Sequence, residues 1–185
     1  MTSSGPVEAP LAWNVAGLLT DEVGSQRVLE VADARIDLGD DLRQAEPIAG
    51  RVRLVRTNRG ILATADLGTA LELECGRCLR EVVLPIEIGF QEEYLPSLDL
   101  ATGRPLAIDD EPDVGRLTDH HELDLEPSVR DAILLAEPIA PLCRPDCPGL
   151  CIVCGLRLDE GEHDHPDDDI DPRLEALRGF RADAG

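Results

Sequence analysis

Residues 51–94 read RVRLVRTNRGILATADLGTALELECGRCLREVVLPIEIGFQEEY, and this stretch decides the fold. Arg51 to Arg56 alternates charged and apolar side chains with period two, as a strand does when one face is wet and the other buried. Ile61 to Ala65, Ala70 to Cys75 and the long run Leu79 to Tyr94 are rich in Leu, Ile and Val, with turn signals between them at Asn58-Arg59-Gly60 and Leu67-Gly68. Upstream, Val28 to Val31 reads as one more strand. Strands that follow one another through short turns pair antiparallel. The expected class is therefore α+β: an antiparallel β-meander sheet or partial barrel packed by a few short helices, with a Cys-rich zinc-knuckle segment at the C-terminal end.

Beyond Tyr94 the pattern changes. Pro96 to Asp119 is acidic, carries Pro and Gly and shows neither periodicity, so a long exposed loop is expected. Val129, Ala132, Ile133 and Ala136 then fall at i, i+3, i+4 and i+7, one apolar helical face. Pro127 suits the first helical turn and Pro138 ends the pattern, which predicts a helix over about 127–137. Shorter helices are expected over Asn14 to Leu19, with Asn14 as N-cap, and over Pro172 to Arg178, with Asp171 as N-cap and Gly179 just past the end. Residues 1–12 are read as a disordered start, 13–138 as a β-rich main domain, and 139–185 as a Cys/His metal-knuckle segment with a tail helix.

Composition narrows the function classes. All 17 basic side chains are Arg; against 38 acids they leave a net charge of −21 over 185 residues, −5 in residues 1–90 and −16 in residues 91–185. Such a balance opposes a general phosphate-binding surface. Trp13, Phe90, Tyr94 and Phe180 are the only aromatics, too few for a base-stacking platform. No run approaches the roughly 20 apolar residues that span a bilayer, and Met1 to Pro10 has no signal-peptide pattern. A cytoplasmic protein with no membrane association is expected, and in that compartment six cysteines are metal ligands or redox thiols rather than structural disulfides.

Cys75-Gly-Arg-Cys78 and Cys151-Ile-Val-Cys154 are two C-x-x-C pairs, and Cys143 and Cys147 precede the second in a Pro/Gly-rich segment. In such turns two thiolates converge on one ion while backbone N–H groups point at sulfur. His163 and His165 share a face of extended chain and bring the donors to eight, the number two tetrahedral zinc sites require. One pairing sets Cys75, Cys78, Cys143 and Cys147 around one ion and Cys151, Cys154, His163 and His165 around another. The alternative joins the two C-x-x-C pairs at a single site. Any site using Cys75 and Cys78 ties the strand region to the C-terminal segment, a fold-locking role. Iron in an all-thiolate site is the less favoured occupant.

A catalytic role has little support. Neither C-x-x-C opens a helix in a βαβ context, as a thioredoxin-like motif requires, and no Gly-rich phosphate loop or G-x-S-x-G elbow is present, so no small-molecule substrate is expected. The competing class is a zinc- or iron-thiolate redox or electron-transfer module. Residues 51–80 reverse the charge sign to +3, making Arg51, Arg53, Arg59, Arg77 and Arg80 candidate contacts for an anion or RNA, although a solvated outer face balanced by acids explains them better. His120 and His121 read as surface residues.

Cys75-Gly-Arg-Cys78-Leu79, the stretch Asp124 to Pro138, Pro141-Leu-Cys-Arg-Pro-Asp-Cys-Pro-Gly-Leu-Cys151, Cys154-Gly155 and Ile170-Asp-Pro-Arg-Leu-Glu-Ala-Leu177 together resemble the bacterial YceD family, the large ribosomal RNA subunit accumulation proteins. The resemblance runs from about Arg51 to Phe180. It implies a cytoplasmic accessory factor needed for accumulation of large-subunit (23S) ribosomal RNA, without an enzymatic activity. Where many relatives carry C-x-C near the end, this chain has His163-Asp-His165, which keeps the ability to bind metal. With a charge of −21, the expected direct contact is a basic ribosomal protein or large-subunit assembly intermediate rather than RNA itself.

Overall fold

The structure is a computed structural model, and it describes residues 11–40, 42–106, 114–161, 165 and 173. The expected tail helix over Pro172 to Arg178 and the start through Pro10 lie outside the described residues, apart from Arg173.

The meander is present, longer than the sequence suggested. Strands β2 (Gln26–Ala34), β3 (Arg43–Arg56), β4 (Ile61–Glu74) and β5 (Glu81–Leu95) pair antiparallel in sequence order. Two shorter strands, β1 (Ala12–Asn14) and β7 (Glu122–Asp124), form a separate antiparallel pair. The remaining strand β6 (Val114–Arg116) adds to the edge of the main sheet, parallel to β5. The five-stranded sheet is therefore mixed, which corrects the purely antiparallel expectation, and β6 lies inside the expected loop of residues 96–119.

Leu67-Gly68 is not a turn. Gly68 pairs with Ala49 on one side and Glu87 on the other, in the middle of β4. A single Gly weakens a strand without ending it when the ladder continues on both sides. The true turn is at Thr57–Gly60, where the Thr57 amide donates to the Gly60 carbonyl at 3.0 Å and the Thr57 hydroxyl accepts from the Gly60 amide at 2.9 Å. Residue 60 must be small: a Cβ there would stand 2.1 Å from the Tyr94 carbonyl oxygen of β5.

Helix α1 (Ala16–Thr20) starts two residues later than expected, and Asn14 instead ends β1 with its Oδ1 accepting from the Ala16 amide at 3.1 Å. Helix α2 (Glu126–Ala136) matches the predicted one within a residue at each end. Val129 and Ile133 are fully buried, and Ala132 and Ala136 pack beside them. They join one cluster with Val52, Leu54, Ile61, Ala63 and Leu71 of the sheet and with Leu11, Leu18, Leu117, Leu123 and Leu125. Leu11, read as part of a disordered start, is thus in the core, and its carbonyl accepts from Leu125 at 3.0 Å. By packing on β5, α2 returns the chain toward the end of the sheet where β4 and β5 turn.

Candidate metal centre

That turn carries the first C-x-x-C. Cys75 follows β4, Cys78 precedes β5, and the Cys75 amide donates to the Arg80 carbonyl at 2.8 Å while the Leu79 amide donates to the Cys75 carbonyl at 2.9 Å. The knuckle is the β4–β5 hairpin loop. After α2 the chain passes over it, with the Gly76 amide donating to the Pro141 carbonyl at 2.8 Å. This brings Cys143 and Cys147 onto the knuckle. Cys75 Sγ lies 3.8 Å from Cys147 Sγ, and Cys78 Sγ lies 3.7 Å from Cys143 Sγ. All four sulfurs fall within 4.8 Å of one another.

These separations test the donor set. Sulfurs at the corners of a regular tetrahedron, each about 2.3 Å from a central zinc, stand about 3.8 Å apart. The four cysteines match in both chemistry and spacing, so the site fits a tetrahedral thiolate-bound ion. Cys75, Cys78 and Cys147 are at most 2% exposed and form a small cluster of their own with Val82, Leu142 and Leu150, apart from the main core. The free thiols are unequal. Hydrogen bonds from the backbone of Cys143, Arg77 and Cys78 hold the Cys75 thiol down at about 6 against the opposing effect of burial. Burial, reinforced by the neighbouring sulfurs, pushes Cys143 up to about 12, and burial likewise raises Cys147. A dication among them would favour thiolate at every position.

Several arginines brace the loops. Arg77 donates to the Cys147 carbonyl and Arg157 to the Cys78 carbonyl, both at 3.0 Å. The largely buried carboxylate of Asp159 receives Arg80 at 3.4 Å and Arg144 at 3.6 Å. Sequence reasoning missed Arg144, Arg157 and Asp159; for Arg157 and Asp159 nothing local marks a side chain whose partner is 79 residues away. It also read His121 as a surface residue; the ring is half-buried, with its Nδ1 enclosed and unpartnered among the described residues.

The five candidate anion-binding arginines are not gathered. Arg51 and Arg53 lie on the exposed face of β3, opposite Asp66 and Thr64 of β4, and Arg51 is paired with Glu30 at 3.0 Å. Arg59 is at the β3–β4 turn, whereas Arg77 and Arg80 flank the knuckle at the other end of β4, which is 14 residues long. At about 3.3 Å per residue this is a separation of roughly 45 Å along the strand.

The cysteines of the second C-x-x-C belong to a different donor group from the first. Cys151 Sγ and Cys154 Sγ group with a ring nitrogen of His165, all within 4.8 Å of one another. His163 lies outside the described residues.

A mixed β-sheet whose hairpin loop is clamped by a four-cysteine cluster defines a candidate metal-binding scaffold. A family model described as large ribosomal RNA subunit accumulation protein YceD matches residues 63–181, and the chain belongs to that family. Similar proteins include an uncharacterized protein of Mycobacterium tuberculosis, 37% identical over 126 residues covering 68% of this chain and 58% of the relative. One of Mycobacterium leprae is 32% identical over 126 residues, covering 68% of this chain and 55% of that protein. The chain thus spans less than three fifths of the length of these relatives. No solved structure matches it. No described helix is long and apolar enough to cross a membrane.

Proposed function

We propose that this chain is a non-enzymatic, cytoplasmic accessory factor supporting accumulation of large-subunit (23S) ribosomal RNA. Zinc at Cys75, Cys78, Cys143 and Cys147 is its structural ion, and a basic ribosomal protein or pre-ribosomal particle is its direct contact. The observation that carries the structural part is the set of paired sulfur distances, 3.7 and 3.8 Å, in a donor set of four thiols of which three are buried. The family description supports the ribosomal part.

Charge supports a basic partner. An open groove of about 810 Å³ at the knuckle end of the sheet is lined by Glu72, Glu74, Glu81 and Glu137 together with Arg43 and the apolar Leu73, Val82 and Val83. Glu74 and Glu81 are direct cross-strand partners. Like charges placed opposite each other destabilise a strand pair, and a cationic segment in the groove relieves that repulsion. The test is sedimentation of cell extract at low salt, followed by 23S ribosomal RNA quantification after depletion of the protein. Co-migration with large-subunit precursors and a fall in 23S RNA are expected; absence of both overturns the reading. An iron–thiolate electron carrier at the same four cysteines is separated by absorption, since zinc–thiolate protein is colourless and iron–thiolate protein is not.

A further inference from the structure

The two C-x-x-C turns have the same backbone. In the first, the amide of Cys75 donates to the carbonyl of Arg80 five residues on, and the amide of Leu79 donates back to the carbonyl of Cys75. In the second, the amide of Cys151 donates to the carbonyl of Leu156, also five residues on, at 2.7 Å, and the amide of Gly155 donates back to Cys151 at 2.9 Å. The residue after the second cysteine is left-handed in both, with φ of 54° at Leu79 and 73° at Gly155. One of these turns presents its two sulfurs to two further cysteines. The other presents its sulfurs to His165, with Cys151 Sγ 3.2 Å from the ring Nε2.

We propose that Cys151, Cys154 and His165 are ligands of a second metal site, separate from the four-cysteine site, which takes a borderline-soft divalent ion such as zinc and exchanges it more readily. Two thiolates and an imidazole are a donor set that zinc favours. For sulfur and nitrogen on one tetrahedral ion the separation is about 3.6 Å, so the 3.2 Å contact needs only a few tenths of an ångström of adjustment.

Exposure sets the order of exchange. Cys75, Cys78 and Cys147 are enclosed, whereas Cys154 is exposed. The second turn also rests on the first: Leu150 and Arg157 bridge across its hairpin, and Arg157 donates to the Cys78 carbonyl. The buried site therefore fills first and empties last. Filling the second ties His165 to the Cys151–Cys154 turn.

The test is metal counting on the full chain, purified without chelator and dialysed against zinc, independently of any ribosomal assay. Wild type is expected to hold two equivalents, while His165→Ala and Cys154→Ser each hold one and keep the thermal unfolding transition of the sheet. With cobalt in place of zinc, His165→Ala is expected to lose the bands of the mixed sulfur–nitrogen site and keep those of the four-sulfur site. A competing chelator removes one equivalent from wild type before the other, and that first equivalent is the one missing from the variants. A single equivalent in wild type, or two in both variants, overturns the proposal. Because the readout is stoichiometry and spectrum, its failure leaves the ribosomal reading standing, and failure of the ribosomal reading leaves this one standing.

Discussion

Leu79 has a φ of 54°, a conformation that costs an L-residue with a Cβ roughly 1–2 kcal/mol. It holds that conformation because the Cys75–Arg80 turn, locked at both ends by backbone hydrogen bonds, leaves it no other. Its side chain is exposed, so little packing is lost on truncation. Leu79→Gly is therefore expected to stabilise the protein by about 0.5–1 kcal/mol, the relieved strain exceeding the added flexibility of the unfolded chain. Urea unfolding with an unchanged slope checks it, and a loss of stability refutes it. The ligand types themselves were legible in sequence, because cysteines spaced as C-x-x-C announce a turn whatever the rest of the fold does. The braces were not. Arg157 reaches Cys78 across 79 residues, a contact that no local pattern encodes.

Elements are joined by a small polar knot under the apolar contacts. Tyr94 of β5 is 3% exposed; its hydroxyl lies 2.9 Å from Glu92 Oε2 and 2.7 Å from Ser128 Oγ of α2, and the Ser128 hydroxyl donates to the same carboxylate at 2.5 Å. Removing one member of such a knot costs about 1 kcal/mol, the amount expected for Tyr94→Phe at neutral pH. Burial raises the Tyr94 phenol above its ordinary value of 10.0, and the Glu92 carboxylate raises it further while Ser128 opposes. Since the raised group prefers its neutral form in the fold, its contribution is complete below the unfolded value and declines as pH climbs past it. The wild type's advantage over Tyr94→Phe should thus shrink above about pH 10, measured as the difference between their unfolding midpoints. At this scale periodicity served well where elements were long: Val129 to Ala136 gave α2, and the alternation of residues 51–56 gave the core of β3. It failed at Gly68, where composition suggested a break in a strand held on both sides, and at Val114–Arg116, three residues too few to show any period.

The described residues form two cores, and the proposed ion belongs to the smaller of them. The large cluster runs from Leu11 through the sheet to Ile133, while Cys75, Cys78 and Cys147 form a separate one with their own apolar neighbours. Stripping the ion should consequently leave the sheet standing and loosen its end: hydrogen exchange is expected to quicken over residues 75–80 and 141–158 while β2, β3 and the middle of β4 stay protected. Uniform loss of protection would show instead that the ion supports the entire fold. The loosened end is also the wall of the acidic groove, so the proposed ion and the proposed partner would share one end of the sheet. Glu74 and Glu81 face each other there, so Glu74→Gln and Glu81→Gln should each raise the stability of the isolated protein by about 0.2–1 kcal/mol. If the groove receives a cationic segment, the same changes must weaken association with large-subunit precursors and flatten its salt dependence, since each removes a charge the partner needs. A side chain whose neutralisation helps the free protein and harms the complex is held for binding, and sedimentation of the variants at two salt concentrations measures that opposition directly. Greater stability with undiminished co-sedimentation would move the contact to another face.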